Sequence, residues 1–164
     1  MGIDFKILRA TRSDWRRVAD IRIRSLAESP QWFSGHLEVE RARTQSQWKS
    51  EISNSYWVIF TADGADVGLM TVAKADESRG TDCWVGGCWV TPELRGAGIM
   101  RAMIKELDQI CLEQGWVTQG LGVFPENVNA IRAYERSGFV RLGELQQSRS
   151  RPEKMFQMMK RGLS

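Results

Sequence analysis

The chain has 164 residues, of which 42% are hydrophobic and 26% charged, enough apolar material for one domain with a sizeable core and no staples. Its 23 Lys and Arg against 20 Asp and Glu leave a net charge of +3. That is too even for a dedicated nucleic-acid binder, though it leaves room for a local basic pocket. No apolar run approaches the ~20 residues that span a bilayer, and Met1 to Arg12 lacks the apolar stretch of a secretory leader. Three cysteines, Cys83, Cys88 and Cys111, form an odd set, which argues against a disulfide framework and for a reducing cytoplasm. With His36 the single histidine, His-rich metal sites are excluded and no metal is expected.

Phe5 to Ala10 reads as a first strand. Thr11 or Ser13 then caps a helix carrying Trp15, Val18, Ala19, Ile23 and Leu26 at helical spacing. Ser29-Pro30 stops it, because a residue before proline disfavours the helical region. Gln31 to His36 is irregular, and its aromatic pair, Trp32 and Phe33, is suited to wall a substrate pocket. Glu38 to Ile52 reads as one polar helix. Tyr56 to Phe60 is a strand by β-branched and aromatic content, Asp63-Gly64 a hairpin turn, and Val67 to Ala73 the returning strand. After a polar loop from Ala75 to Thr81, Cys83 to Val90 forms another strand. Its Gly86-Gly87 marks either a bulge or a close approach. Cys83 and Cys88, five apart, are expected on opposite faces of it.

Thr91-Pro92 ends that strand and Glu93 to Gly98 turns into a helix lined by Ile99, Met103, Leu107, Ile110 and Cys111, with Gly115 as its stop. Trp116 to Phe124 is a strand. Pro125-Glu-Asn127 opens a helix with Ala130, Ile131 and Tyr134 on one face, and Gly138 ends it. Phe139 to Leu145 and Lys154 to Met159 are the last strands. The order is β-α-α-β-β-β-α-β-α-β-β, an α+β pattern. Between strand and helix, Arg95-Gly-Ala-Gly98 places flexible glycines at a helix N-terminus, whose unpaired N–H groups favour anions. Arg101 and Lys105 add positive charge. Neither the triphosphate loop G-x-x-x-x-G-K-[ST] nor the full dinucleotide fingerprint is present.

Two segments instead resemble the GNAT N-acetyltransferase superfamily. Val90-Thr-Pro-Glu-Leu-Arg95-Gly-Ala-Gly98-Ile-Met100 is similar to its [R/Q]-x-x-G-x-[G/A] loop after a strand ending V-x-P-E. Asn127 to Phe139 is similar to its N-x-x-A-I-x-x-Y-x-x-x-G-F helix. The resemblance implies a single acetyl-CoA-dependent domain over residues 1–164, with a mostly antiparallel sheet flanked by about four helices. It implies that backbone N–H groups of Arg95, Gly96, Ala97, Gly98, Ile99, Met100 and Arg101 hold a pyrophosphate. Val90 would pair with the pantetheine arm, Asn127 would bond near that arm, and Tyr134 would present its hydroxyl to the coenzyme sulfur. Met100 departs from the family's small residue. On pattern alone, Tyr134 also fits the core and Asn127 a helix cap, whereas Asn129 is expected in solvent.

By the same resemblance, acetyl-CoA donates its acetyl group to a primary amine that attacks directly in a ternary complex; a coenzyme A-binding module with little catalysis is the alternative. The carboxylates nearest by position, Glu38, Glu40 and Asp82, are candidate bases beside a water chain. Acceptor choice is expected in Ser25 to Ile52 and Gln146 to Lys154, and Glu28, Glu38 and Glu40 hint at a cationic acceptor. A small-molecule or peptide amine is the expected partner, with no nucleic acid or membrane, and a homodimer is left open.

Overall fold

The computed structural model describes residues 3–163; Met1, Gly2 and Ser164, the ends of the domain expected over residues 1–164, lie outside them. Seven strands form one sheet: β1 (Lys6–Arg9), β2 (Tyr56–Ala62), β3 (Ala65–Lys74), β4 (Cys83–Val90), β5 (Thr118–Val123), β6 (Val140–Gln147) and β7 (Met155–Gly162). Their spatial order is β1-β2-β3-β4-β5-β7-β6. Every neighbouring pair is antiparallel except β4 and β5, which run parallel. The helices are α1 (Trp15–Glu28), α2 (Leu37–Arg41), α3 (Gln45–Asn54), α4 (Ile99–Gln114) and α5 (Val128–Arg136). This is the expected mixed sheet, with five helices where about four were expected.

The fifth helix comes from a break in the segment read as one helix, Glu38 to Ile52. Thr44 has extended backbone and caps α3: its hydroxyl accepts from the Gln47 N–H at 3.2 Å while the Gln47 side chain accepts from the Thr44 N–H at 2.8 Å. This reciprocal box satisfies two end donors and starts a new helix.

Strand alternation sorts the core into two layers. In β2, Val58, Phe60 and Ala62 face α4 and α5, where Met103, Leu107, Ile110 and Ile131 pack on them. Trp57 and Ile59 face the other way, toward Val18 and Ile21 of α1 and Trp48 of α3. Trp48 meets Trp57 edge-on at 5.9 Å, the favoured geometry for paired aromatic rings.

Strand β4 breaks this alternation. Leu69 pairs with Trp89 and Thr71 with Gly86, so Met70 alone opposes Gly87 and Cys88. Gly87 takes φ +58°, a left-handed conformation that glycine adopts without steric cost. The extra residue reverses the strand's parity. Cys83, Val85, Cys88 and Val90 therefore all pack on the α4–α5 layer, and Trp89 on the α1 layer. The expected opposite faces for Cys83 and Cys88 are corrected by this bulge, since simple alternation holds only in an unbroken ladder.

Candidate active site

Parallel pairing of β4 with β5 covers only Cys83–Gln119, Trp84–Gly120 and Val85–Leu121. Beyond these the strands part. The rest of β4 stays with β3, and Gly122 and Val123 of β5 keep only the pairing with β7 that runs along the whole strand. The divergence begins at the glycine bulge and leaves a cleft in the sheet.

Val90 stands at the open end of that cleft. The Thr91 N–H donates to the Val67 carbonyl at 2.8 Å, and Val90 lies opposite Gly68. Hydrogen-bonded and non-bonded pairs alternate along an antiparallel ladder, so the Val90 N–H and carbonyl face away from β3, toward the cleft. Its carbonyl accepts from Arg95 Nε at 3.0 Å. The same guanidinium reaches Glu28 at the end of α1, Nη2 to Oε2 at 2.8 Å. Glu28 also accepts from Trp89 Nε1 at 2.8 Å and from the Ser29 hydroxyl. Partial burial opposes ionisation of Glu28, but the bonds from Ser29, Trp89 and Arg95 prevail and hold its carboxyl below the ordinary range.

At the expected anion cradle, Gly96 and Gly98 have φ of +83° and +94°. A Cβ at either would meet no protein atom within 4 Å, so these glycines serve backbone conformation and leave the loop's outer side open. Gly98 is the N-cap of α4, and the first acceptor of that helix is its carbonyl, bonded to the Ala102 N–H at 3.2 Å. Ile99, Met100 and Arg101 thus keep the unpaired N–H groups of a helix start. The Arg95 and Ala97 N–H groups are already bonded to Pro92 and Leu94 carbonyls at 3.3 and 3.2 Å, which narrows the donor set to Gly96, Gly98 and the first turn. The Met100 side chain packs against the core.

Tyr134 is buried in the α4–α5 layer, edge-on to Phe139 at 5.8 Å. Its hydroxyl faces the Cys88 thiol, beside the point where β4 leaves β5. Burial first, and then the thiol, push that hydroxyl well above the ordinary phenol range. Burial likewise pushes Cys88 to about 11, against a lowering contribution from Tyr134. Both groups therefore keep their protons near neutral pH. Asn127 caps α5, its Oδ1 accepting from the Ala130 N–H at 3.4 Å; Asn129 is exposed.

On the α1 side of the cleft lies a cavity of about 170 Å³. Trp32 and Phe33 wall it as expected, facing Gly86 and Gly87 of β4, Phe124, Phe156, Arg79 and Arg149. The loop after α1 is bound to the β6–β7 loop by His36 Nε2 with the Ser150 carbonyl at 2.8 Å and by Arg151 to the Phe33 and Gly35 carbonyls at 3.1 and 2.9 Å. Gly122 has a structural reason to be small: a Cβ there would come within 2.7 Å of the Phe156 ring.

None of the three candidate bases lines this cavity. Glu38 is exposed beside Arg41 at 3.1 Å. Glu40 is buried between Arg43 at 2.5 Å and Arg22 at 3.6 Å. Asp82 accepts the Val117 and Thr118 N–H groups at 2.7 and 3.0 Å, which hold its carboxyl below the usual range and fix the start of β5. Glu28 serves Arg95. The cavity lining includes no Asp or Glu but two arginines, so the hint of a cationic acceptor from Glu28, Glu38 and Glu40 finds no counterpart. Sequence reasoning missed Arg79 as a lining residue because nothing in a polar loop marks it. Arg149 fell inside the region expected to choose the acceptor.

Among the described residues, no helix is long and apolar enough to cross a membrane, and no group of three or more His, Cys, Asp or Glu is arranged to hold a metal. Comparison with known proteins agrees with this architecture. An acetyltransferase of the GNAT family from Streptococcus pneumoniae superposes with a TM-score of 0.78 at 13% identity, over 98% of this chain and 100% of that one. The yncA structure from Salmonella typhimurium, which contains its cofactor acetyl-CoA, gives 0.75 at 14% identity over 98% and 95%. Ard1 from Thermoplasma volcanium gives 0.74 at 21% identity over 98% of each chain. No curated protein sequence matches. The model of the acetyltransferase (GNAT) family matches residues 21–139, and the chain belongs to that family.

Proposed function

We propose that this chain is an N-acetyltransferase that moves an acetyl group from acetyl-CoA to the primary amine of a small-molecule or peptide acceptor, within one domain over residues 1–164 and without a metal. The observation that carries the reading is the parting of β4 from β5 beside an open, glycine-capped helix start. A free strand backbone and an anion-binding helix end lie at the mouth of one cleft, as a long coenzyme with a pyrophosphate requires. The free thiols of Cys83, Cys88 and Cys111 suit a reducing cytoplasmic setting.

In this reading Gly96, Gly98 and the first turn of α4 hold the pyrophosphate, with Ala97 shaping the turn. Arg95 acts through its side chain, bracing Val90 and α1. Val90 pairs its outward backbone with the pantetheine arm, and Asn127 borders that arm while capping α5. Acetyl-CoA supplies an activated thioester. As the acceptor's N–C bond forms and the C–S bond breaks, a backbone N–H of β4 near Cys88, where the bulge interrupts the ladder with β3, stabilises charge on the carbonyl oxygen. Such donors are typically worth ~10²–10³ in rate. Tyr134, protonated at neutral pH, gives a hydrogen bond or its proton to the departing sulfur. The amine's proton leaves through water, since no carboxylate lines the acceptor cavity.

The test is an acceptor screen read by free thiol, covering polyamines, amino acids, aminoglycosides and peptides. The reading expects amine-dependent thiol release. Saturable acetyl-CoA binding with no release for any amine would identify a coenzyme-binding module instead, and absence of binding would remove the cradle altogether.

A further inference from the structure

The acceptor cavity is positively charged, and its charge is placed for an anion. Arg79 lies with its guanidinium 4.0 Å above the Trp84 ring and 5.6 Å from that of Phe156. Stacking occupies the faces of the planar group and leaves its N–H edge free. Among the described residues that edge makes no hydrogen bond or ion pair. Arg149 lines the same cavity and donates to Asp76 Oδ2 and Ser78 Oγ, both at 2.7 Å. Burial and the nearby charge of Arg149 lower the pKa of Arg79, and the charge of Asp76, which Arg149 itself engages, offsets only part of this. No Asp or Glu lines the cavity to offset the rest. Arg22, buried behind Gly87 and Phe33, has Glu40 3.6 Å away as its counter-charge, and its Nε and Nη1 have no hydrogen-bond partner among the described residues. The cavity's 170 Å³ is smaller than the ~300–1,000 Å³ of sites for drug-sized ligands.

Resting on the acetyltransferase reading, we infer that the acceptor is a small amino carboxylate, whose carboxylate is bound by the free edge of Arg79 with Arg149 beside it while its amine points to the β4–β5 cleft. A planar bidentate pair between guanidinium and carboxylate orients the acceptor as well as holding it. The Trp32, Phe33 and Phe156 walls accept an apolar body between the two ends.

The experiment compares kcat/KM, by thiol release at saturating acetyl-CoA, for a panel of free amino acids and the carboxamide of each. The comparison is stringent, because a carboxamide lowers the pKa of its neighbouring amine and so favours the uncharged partner chemically. The inference predicts a preference for the carboxylate of at least about tenfold for the best pair, the scale of a hydrogen-bonded charge. It predicts that Arg79→Met brings that ratio below about threefold, with acetyl-CoA affinity by calorimetry as in the wild type, and that Arg79→Lys restores part of the preference. Should Arg79→Met fail to fold in a melting curve, Arg149→Gln is the second variant and lowers the same ratio. Equal or better turnover of carboxamides, polyamines or simple alkylamines overturns the inference and leaves the acetyltransferase reading standing. So does turnover of other amines with none of the amino acids. Thiol release with no amine at all overturns both.

Discussion

Arg95 and Glu28 form a 2.8 Å ion pair that ties the first residue of the glycine loop to the last residue of α1. The same arginine bonds the Val90 carbonyl, so one guanidinium braces the strand end, the loop and α1. Glu28→Gln weakens this brace. The pair is partly exposed, and such pairs contribute about 0–1 kcal/mol, so KM for acetyl-CoA should rise by up to about fivefold while kcat stays near wild type. Because Glu28 is held below the ordinary carboxylate range, the wild type keeps this small contribution throughout that range and loses it only as the pH falls below it. Initial-rate kinetics across pH check both points.

Gly98→Trp tests the cradle. The residue has φ +94° and open space where a Cβ would stand, so the indole meets no protein atom at its root and covers the free N–H groups instead. The expected outcome is a folded protein, with a backbone cost of about 1–2 kcal/mol, that no longer binds coenzyme A in a calorimetric titration. Unchanged affinity in a folded variant rules the cradle out.

Tyr134→Phe removes only a hydroxyl that faces Cys88. If that hydroxyl serves the departing sulfur, kcat falls by ~10²-fold or more with little change in acetyl-CoA affinity, the pattern of a group that acts only in the transition state. Normal turnover with a shifted melting curve would make Tyr134 a core residue alone.

Glu40 and Glu38 separate structural from catalytic carboxylates. Glu40→Ala leaves the buried Arg22 without its counter-charge and deprives Arg43 of its closest partner, which should cost about 3–5 kcal/mol. Glu38→Ala, on an exposed pair, should stay within about 0.5 kcal/mol. Denaturant melts give both values. A large loss of kcat in folded Glu38→Ala would restore it as a base.

The sequence carried the site's local devices well, because they are local. The left-handed glycines at 96 and 98, the Asn127 cap and the Gly115 stop each rest on a few neighbouring residues. The α2–α3 break was also readable, in the Thr44-x-x-Gln47 box, but a weak apolar periodicity ran across it. Cys88 was misplaced because the Gly86-Gly87 bulge shifts parity and only the pairing with β3 reveals it. The cavity beside the β4–β5 cleft was half legible. Its aromatic wall at Trp32 and Phe33 stood out, whereas Arg79 and Arg149 meet there only because three distant loops converge. The insertion of β7 between β5 and β6 is likewise a matter of tertiary pairing.

Acid stability should report Asp108, which bonds Arg161 at 2.5 and 3.1 Å and Gln119 at 2.8 Å. Partial burial opposes ionisation, but these bonds hold its carboxyl below the ordinary range. A depressed carboxylate stabilises the fold above its unfolded value, near 3.9, and that contribution is lost as pH falls through the lower folded value. Asp108→Asn should therefore melt lower than wild type near pH 7, and the difference should shrink as the pH falls below the ordinary Asp range.

Direct transfer of acetyl to nitrogen is tested most directly with isotopically labelled acetyl-CoA, followed by mass spectrometry of both protein and acceptor. Cys88, a protonated thiol at neutral pH, is a nucleophile beside the cleft that could intercept the acetyl group. Direct attack leaves no label on the protein when acceptor is withheld, and puts label on the acceptor's amine nitrogen once it is added. Label held on Cys88, or coenzyme bound with no label reaching any amine, would contradict it.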